Sequence, residues 1–275
     1  MSIYQSFDKY GHESIGKKIK SNRKSVLGIV LSRLNRRDLE KKLDSFPNNY
    51  AEHFQYVWNW KCDIESGSGH ILDEKNLEKT FDKLTDILPR WQTYRPRKNR
   101  DAFLTLKNSL KIIQNDYDTI RKYSILEFDK IPQEPLFKIW NELGRVKEPN
   151  GEINSKNEYY IIAVCKPLML LWGQTLAFDK KVRDNLSNSF QFPRKSWRWT
   201  YRQWHNTMMQ ISKKVNQNDD IISFVENNTR TRYRHEKPVP YGRYLDIFYW
   251  VGNNESPKKP RRNVYDQVIE DFLKS

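Results

Sequence analysis

Apolar residues in this chain recur at steps of three and four, a spacing that leaves room for little besides packed helices. Leu77, Phe81, Leu84 and Leu88 step by 4, 3 and 4, which puts them on one face of a helix with 3.6 residues per turn. Pro89 predicts the end of that helix. A second helix is expected to start at Asp101 as N-cap and to carry Phe103, Leu106, Leu110, Ile113, Tyr117 and Ile120 on one stripe. Pro135 suits a first helical position. Leu136, Ile139, Trp140 and Leu143 form the apolar face behind it, and Gly144 is a natural stop. Ser155 and Glu158 match a capping box, so a helix is expected from there to about Cys165, with a kink or restart at Pro167.

Further on, Trp204, Met208, Ile211 and Val215 repeat the 4, 3, 4 step, and Asp219 or Asp220 is expected to cap a short helix through Val225. The run from Pro240 to Gly252 reads as a helix buried in the core, with Arg243 and Asp246 paired three residues apart. Val264, Val268 and Phe272 suggest a closing helix. Alternation of period two is nearly absent, and Asn150-Gly151 is the sole hairpin signal. The fold class that follows is mainly α, with little or no β-sheet. Residues 1–50 read as a basic N-terminal segment and residues 51–275 as one helical core.

Charge narrows the partner. The chain carries 49 Lys and Arg against 34 Asp and Glu, a net charge of +15. The surplus is segregated: residues 1–50 hold 11 basic and 5 acidic side chains, residues 51–193 hold 22 and 20, and residues 194–262 hold 15 and 6. Two basic flanks around a balanced middle suit a polyanion, with nucleic acid, and DNA first, favoured over an acidic membrane surface. A solvated basic face is the plainer alternative.

No apolar run is long enough to span a bilayer, and the N-terminus shows no secretory pattern, so a cytoplasmic protein is expected. Cys62 and Cys165 have 102 residues between them, which excludes a disulfide framework or a cysteine-built zinc site. The five histidines form no H-x-x-x-H pair. No metal and no cofactor is expected.

Two segments carry candidate chemistry. Between Phe192 and His205, Arg194, Lys195, Arg198 and Arg202 alternate with Trp197, Trp199, Tyr201 and Trp204. Guanidinium groups hold phosphates while aromatic rings stack on exposed bases. The competing reading puts Trp197, Tyr201 and Trp204 at helical spacing on a core face. Arg230, Arg232 and Arg234 form a second basic cluster of the same kind, and Arg95, Arg97 and Arg100 a third.

The other segment runs from Val164 through Lys166, Trp172, Phe178 and Asp179 to Val182, Arg183 and Leu186. It resembles a degenerate helix-hairpin-helix DNA glycosylase core, in which a lysine-bearing hairpin leads through an apolar helix to an Asp-x-x-Val-Arg helix start. The likeness is confined to about 30 residues around Lys166 to Asp179, which lie 13 apart, and the Leu-Pro-Gly-x-Gly hairpin is missing. It implies a multi-helix glycosylase-like architecture, Asp179 as the essential carboxylate, Lys166 as the hairpin lysine and Arg183 as a DNA contact. It also implies excision of a modified or unusual base, in a setting such as defence against phage DNA.

The residues themselves leave roles open. A carboxylate at Asp179 can stabilise an oxocarbenium-like sugar and orient water, or it can simply cap the helix that follows. Lys166 can contact phosphate or, if desolvated, act as a Schiff-base nucleophile. Trp172, Trp197, Trp199 and Tyr201 are the candidate base-stacking rings. A non-catalytic nucleic-acid-binding module and a metal-dependent nuclease are the alternative functions.

Overall fold

A computed structural model describes residues 36–67, 69–94, 100–186, 196–228 and 239–251. Among them the chain is mainly helical, with one small sheet of two strands. Helix α1 spans Arg36–Ser45, α2 Asn48–Glu65, α3 Glu74–Arg90, α4 Arg100–Ile112, α5 Gln114–Ile120 and α6 Gln133–Gly144. Strand β1, Glu158–Tyr160, leads into α7, Ile161–Trp172, followed by α8, Lys180–Leu186. Strand β2, Arg198–Thr200, then leads into α9, Tyr201–Val215, α10, Asp219–Asn228, and α11, Tyr241–Val251. The closing helix expected around Val264 lies outside the described residues.

The predicted stripes face one core. Leu77, Leu84 and Leu88 of α3 are buried with Leu106, Leu110, Ile113, Tyr117 and Ile120 across α4 and α5, and with Leu136, Ile139, Trp140 and Leu143 of α6. Trp204, Met208, Ile211 and Val215 bury the inner face of α9. Helix α1 also belongs here: Leu39 and Leu43 are buried and α1 packs against α11, so the core begins before the expected boundary at residue 50.

Several expected boundaries move, each for a physical reason. Helix α3 continues through Pro89 to Arg90, and α4 starts at Arg100, leaving Asp101 in its first turn, where a carboxylate still suits the helix dipole. Helix α6 starts at Gln133, so Pro135 sits third, still among the N–H groups that need no helical acceptor. Gly144 has an ordinary right-handed φ of -62°. It is required by packing instead: a Cβ there would lie 2.3 Å from Cγ of Tyr159.

The capping box at Ser155 does not start a helix. Glu158, Tyr159 and Tyr160 pair antiparallel with Thr200, Trp199 and Arg198, which buries Tyr159 and Trp199 together. Tyr159 packs on Trp140 and Trp199 on Phe178, and burial of both strands' central residues overrides the local helix signal. A capping box does form at the other strand's exit, where the Thr200 hydroxyl accepts from the Gln203 N–H and the Gln203 carboxamide oxygen accepts from the Thr200 N–H.

Helix α7 is the centre. Every residue from Ile161 to Trp172 except Ile162 is buried, so it is apolar on all sides and must be enclosed. Helices α2, α3 and α6 pack around it. Pro167 sits inside this helix without breaking it. A proline there removes the N–H that Ala163 would bond, and the Tyr94 hydroxyl donates to the Ala163 carbonyl instead, at 2.7 Å. At the far end, the Tyr117 hydroxyl donates to the Leu171 carbonyl at 2.8 Å.

Tyr94→Phe leaves the Ala163 carbonyl buried without that donor and should cost about 2 kcal/mol in urea unfolding. In a Pro167→Ala background, which restores the helical N–H, the same substitution should cost less than half as much. Equal costs in both backgrounds would disconnect Tyr94 from the proline.

Candidate functional site

The turn after α7 assembles the site. Gly173 closes the helix at φ +76°, with its N–H donated to the Met169 carbonyl, a left-handed cap that suits glycine. The chain then passes through buried Thr175, Leu176, Ala177 and Phe178 to Asp179. Phe178 adopts φ +50°, which is costly for a bulky side chain. That conformation aims Asp179 at α8, where Oδ1 accepts the Val182 N–H at 3.0 Å and the Asp179 carbonyl accepts the Arg183 N–H. Asp179 is therefore an N-cap, and it remains half-exposed on its other side.

Two buried charged groups lie beneath it. Lys166 projects from the middle of α7, is 8% exposed, and donates from Nζ to the carbonyl of Trp91. Trp91 caps the C-terminus of α3, where the helix dipole favours a cation. Burial pushes the Lys166 amine below its ordinary value, and the charges of Asp179 and Asp246 pull it partly back. Such burial excludes a surface phosphate contact for Lys166.

Asp246 of α11 is 2% exposed. Its Oδ2 accepts from Nη1 of Arg243 at 2.9 Å, and its Oδ1 accepts the Ala177 N–H at 2.8 Å. Nη2 of Arg243 donates to the Tyr50 carbonyl at 3.1 Å, while the guanidinium lies 4.9 Å from the ring centres of both Phe46 and Phe54. The pair thus ties α11 to the start of α2 and to the turn that carries Asp179. The i, i+3 pairing expected from sequence is present, but it reaches beyond a core filler.

These groups share one pocket of about 430 Å³, within the range of small-molecule sites. Lys166, Asp179, Arg243 and Asp246 contribute its charged groups, and Tyr50, Trp91, Trp197 and Trp250 its aromatic ones. Lys180, Lys181 and Arg90 add cations to the lining. Lys181 Nζ stands 3.7 Å above the Trp250 ring. Trp197 is 43% exposed, and the Arg183 guanidinium stacks on it at 4.0 Å.

Of the residues singled out from sequence, Lys166, Asp179 and Trp197 come together in the lining of this pocket. The other expected site residues separate. Trp172 and Trp199 are buried, with indole N–H groups donated to the carbonyls of Tyr123 and Ser196, so neither ring presents a free stacking face. Tyr201 packs against Phe137, Trp140 and Trp204 and is not part of the pocket lining. Arg183 is likewise buried, with Nη1 donating to the Ser196 carbonyl; it braces Trp197. Arg198 pairs with Glu148 at 2.7 Å and also bonds the Glu158 carbonyl, whereas Arg202 is exposed on α9. Arg194, Lys195, Arg230, Arg232 and Arg234 lie outside the described residues, as do Arg95 and Arg97.

Asp246, Arg243, Tyr50, Trp91, Gln92 and Trp250 were not assigned to a site by the sequence reading. The Arg243 and Asp246 pair did carry a signal, since two opposite charges inside so apolar a run must be buried together. No helix among the described residues is long and apolar enough to cross a membrane. Among them, too, no group of three or more His, Cys, Asp or Glu side chains is placed to hold a metal ion. Comparisons with family models, curated proteins and solved structures found no match.

Burial raises the Asp246 carboxyl to about 6, against the lowering effect of Arg243, and the Asp179 charge adds to the rise. Its folded value then exceeds the unfolded value of about 3.9. The stability this group contributes is fully present below about pH 4 and is lost as pH rises through about 6. Urea unfolding at intervals across that window should show the wild type losing on the order of 3 kcal/mol relative to Asp246→Asn. A constant difference between the two proteins would place the Asp246 proton elsewhere.

Proposed function

We propose that this chain is a DNA N-glycosylase of the helix-hairpin-helix type, which extrudes a modified or unusual base into the pocket beside Asp179 and hydrolyses its bond to the sugar. The observation that carries this reading is the convergence of Lys166 and Asp179, from opposite ends of the α7-to-α8 segment, on one aromatic-walled pocket. A pocket of about 430 Å³ has room for a nucleobase and part of its sugar, and the net charge of +15 suits a phosphate backbone.

Each group has a chemical task in this reading. The C1′–N bond breaks with its electron pair leaving on the base, and the Asp179 carboxylate stabilises the positive charge that grows on the sugar. Water adds to C1′, and the proton it sheds passes through Asp179 to the departing base. Lys166, held by the Trp91 carbonyl, sets a cation at the floor of the pocket within electrostatic reach of Asp179. Trp197, braced by Arg183, offers a stacking face at the pocket. Lys180, Lys181, Arg202 and the basic flanks would meet the backbone.

One observation favours the non-catalytic alternative, a binding module on the same scaffold: Asp179 already has structural work as the cap of α8. Asp179→Asn separates the two, because asparagine caps a helix nearly as well as aspartate. The variant should unfold within about 0.5 kcal/mol of wild type. A panel of plain and base-modified duplexes, incubated with each protein in chelator and then treated with alkali, supplies the activity. Alkali-dependent breaks at one modified base, reduced at least about 100-fold in Asp179→Asn, are expected. Salt-sensitive binding without breaks on any duplex would leave the binding module, and cleavage that appears only with added magnesium would favour the nuclease.

A further inference from the structure

Four non-glycine residues among those described have positive φ: Gln92, Asn150, Asn157 and Phe178. Asparagine adopts the left-handed region at little cost, but glutamine and phenylalanine do not. The two costly cases both belong to the pocket, since Phe178 aims Asp179 and Gln92 is itself part of the lining. Strain kept at such places is characteristic of functional positions.

Gln92 occupies a particular slot. At the end of α3, the Gln92 N–H donates to the Pro89 carbonyl and the Thr93 N–H to the Leu88 carbonyl. This is a Schellman closure, and Gln92, at φ +57°, stands where glycine is the usual choice. Among the described residues no contact accounts for the longer side chain. Gln92 is exposed, and among the described residues its carboxamide makes no hydrogen bond. Its neighbour Trp91 supplies the carbonyl that holds Lys166, so the same turn carries both the support of the floor lysine and Gln92.

We infer that Gln92 is a specificity-determining residue, whose carboxamide reads the edge of a nucleobase held in this pocket. A carboxamide presents one donor beside one acceptor, and it pairs with a base edge that offers the complement, as adenine does with its N6 amine and N7. The substrate class is a base whose extruded edge sets one donor beside one acceptor, the amine-bearing purines among them. This inference rests on the base-extrusion reading above and names the base edge that reading leaves open.

The probe is a duplex carrying one 2-aminopurine, whose 2-amine stands beside a ring nitrogen and whose fluorescence rises when it leaves the stack. Titrated with wild-type protein, it should brighten. Gln92→Gly relieves the left-handed strain, so its Tm should be unchanged or raised by about 2 °C, while its binding midpoint for the probe weakens at least about tenfold. Gln92→Asn keeps the amide and tolerates the backbone, and it should retain more of the affinity than glycine does. A Gln92→Gly protein that is as stable as wild type and binds the probe equally well overturns the inference while leaving the glycosylase standing. A lowered Tm also overturns it, by assigning Gln92 a structural role. No brightening with wild type, together with no alkali-labile product on any duplex, defeats the extrusion reading and this inference with it.

Discussion

Helix α7 sets the terms for everything around it. A helix that is apolar on every side has no face to give to water, so the remaining elements must enclose it and every polar atom on it must find a partner inside the protein. Pro167 and Lys166 make that demand acute in the middle of the helix. The first leaves a carbonyl without its donor, and the second brings an amine into the core. The answers are a tyrosine hydroxyl from Tyr94 and a carbonyl from Trp91, both from the short stretch after α3. The end of α3 is therefore shaped by what α7 needs, and the pocket opens where those two segments meet.

The site gathers charges that would be costly alone. Arg243 pairs with Asp246, while Lys166 bonds the Trp91 carbonyl and feels the charge of Asp179, so two cations and two carboxylates surround one small volume. A buried ion pair adds little net stability over apolar packing, but removal of one partner is expensive. What the arrangement secures is orientation. Asp246 grips the Ala177 N–H two residues before Asp179, and Phe178, held at an unfavourable φ between them, turns the chain towards α8. Asp179 is thus aimed from one side by its own cap and from the other by a carboxylate that never leaves the core.

The helices were legible because their stripes are local: the spacing of Leu136, Ile139, Trp140 and Leu143 needs no knowledge of the partner surface. The strand at Glu158 was not, since its signal resides in Trp199, forty residues away, and only the pairing of the two strands at Tyr159 and Trp199 decides against the helix that Ser155 and Glu158 would cap. Gly144 misled for the same reason. A glycine after an apolar stripe reads as a stop, whereas here it makes room for the Tyr159 ring. Among the site residues, Lys166 and Asp179 were found together because one segment carries both. Trp199 was misplaced because an aromatic residue in a basic stretch reads the same whether its ring faces solvent or core, and Trp172 because a ring at the end of an apolar helix gives no sign of which way it faces. Gln92 left no trace in sequence beyond the proline that precedes it, because its conformation is known only from the backbone.

The bond from Arg243 to the Tyr50 carbonyl joins residues 193 positions apart. During synthesis, the segment that bears Lys166 and Asp179 emerges well before α11, and until then the turn at Ala177 lacks Asp246 and the start of α2 lacks Arg243. The helices around α7 can pack in that interval, because their contacts are already made. The pocket cannot be completed. Its chemistry is consequently acquired later than the core around α7, and a ribosome-bound intermediate with most of that core in place would still hold an unfinished site.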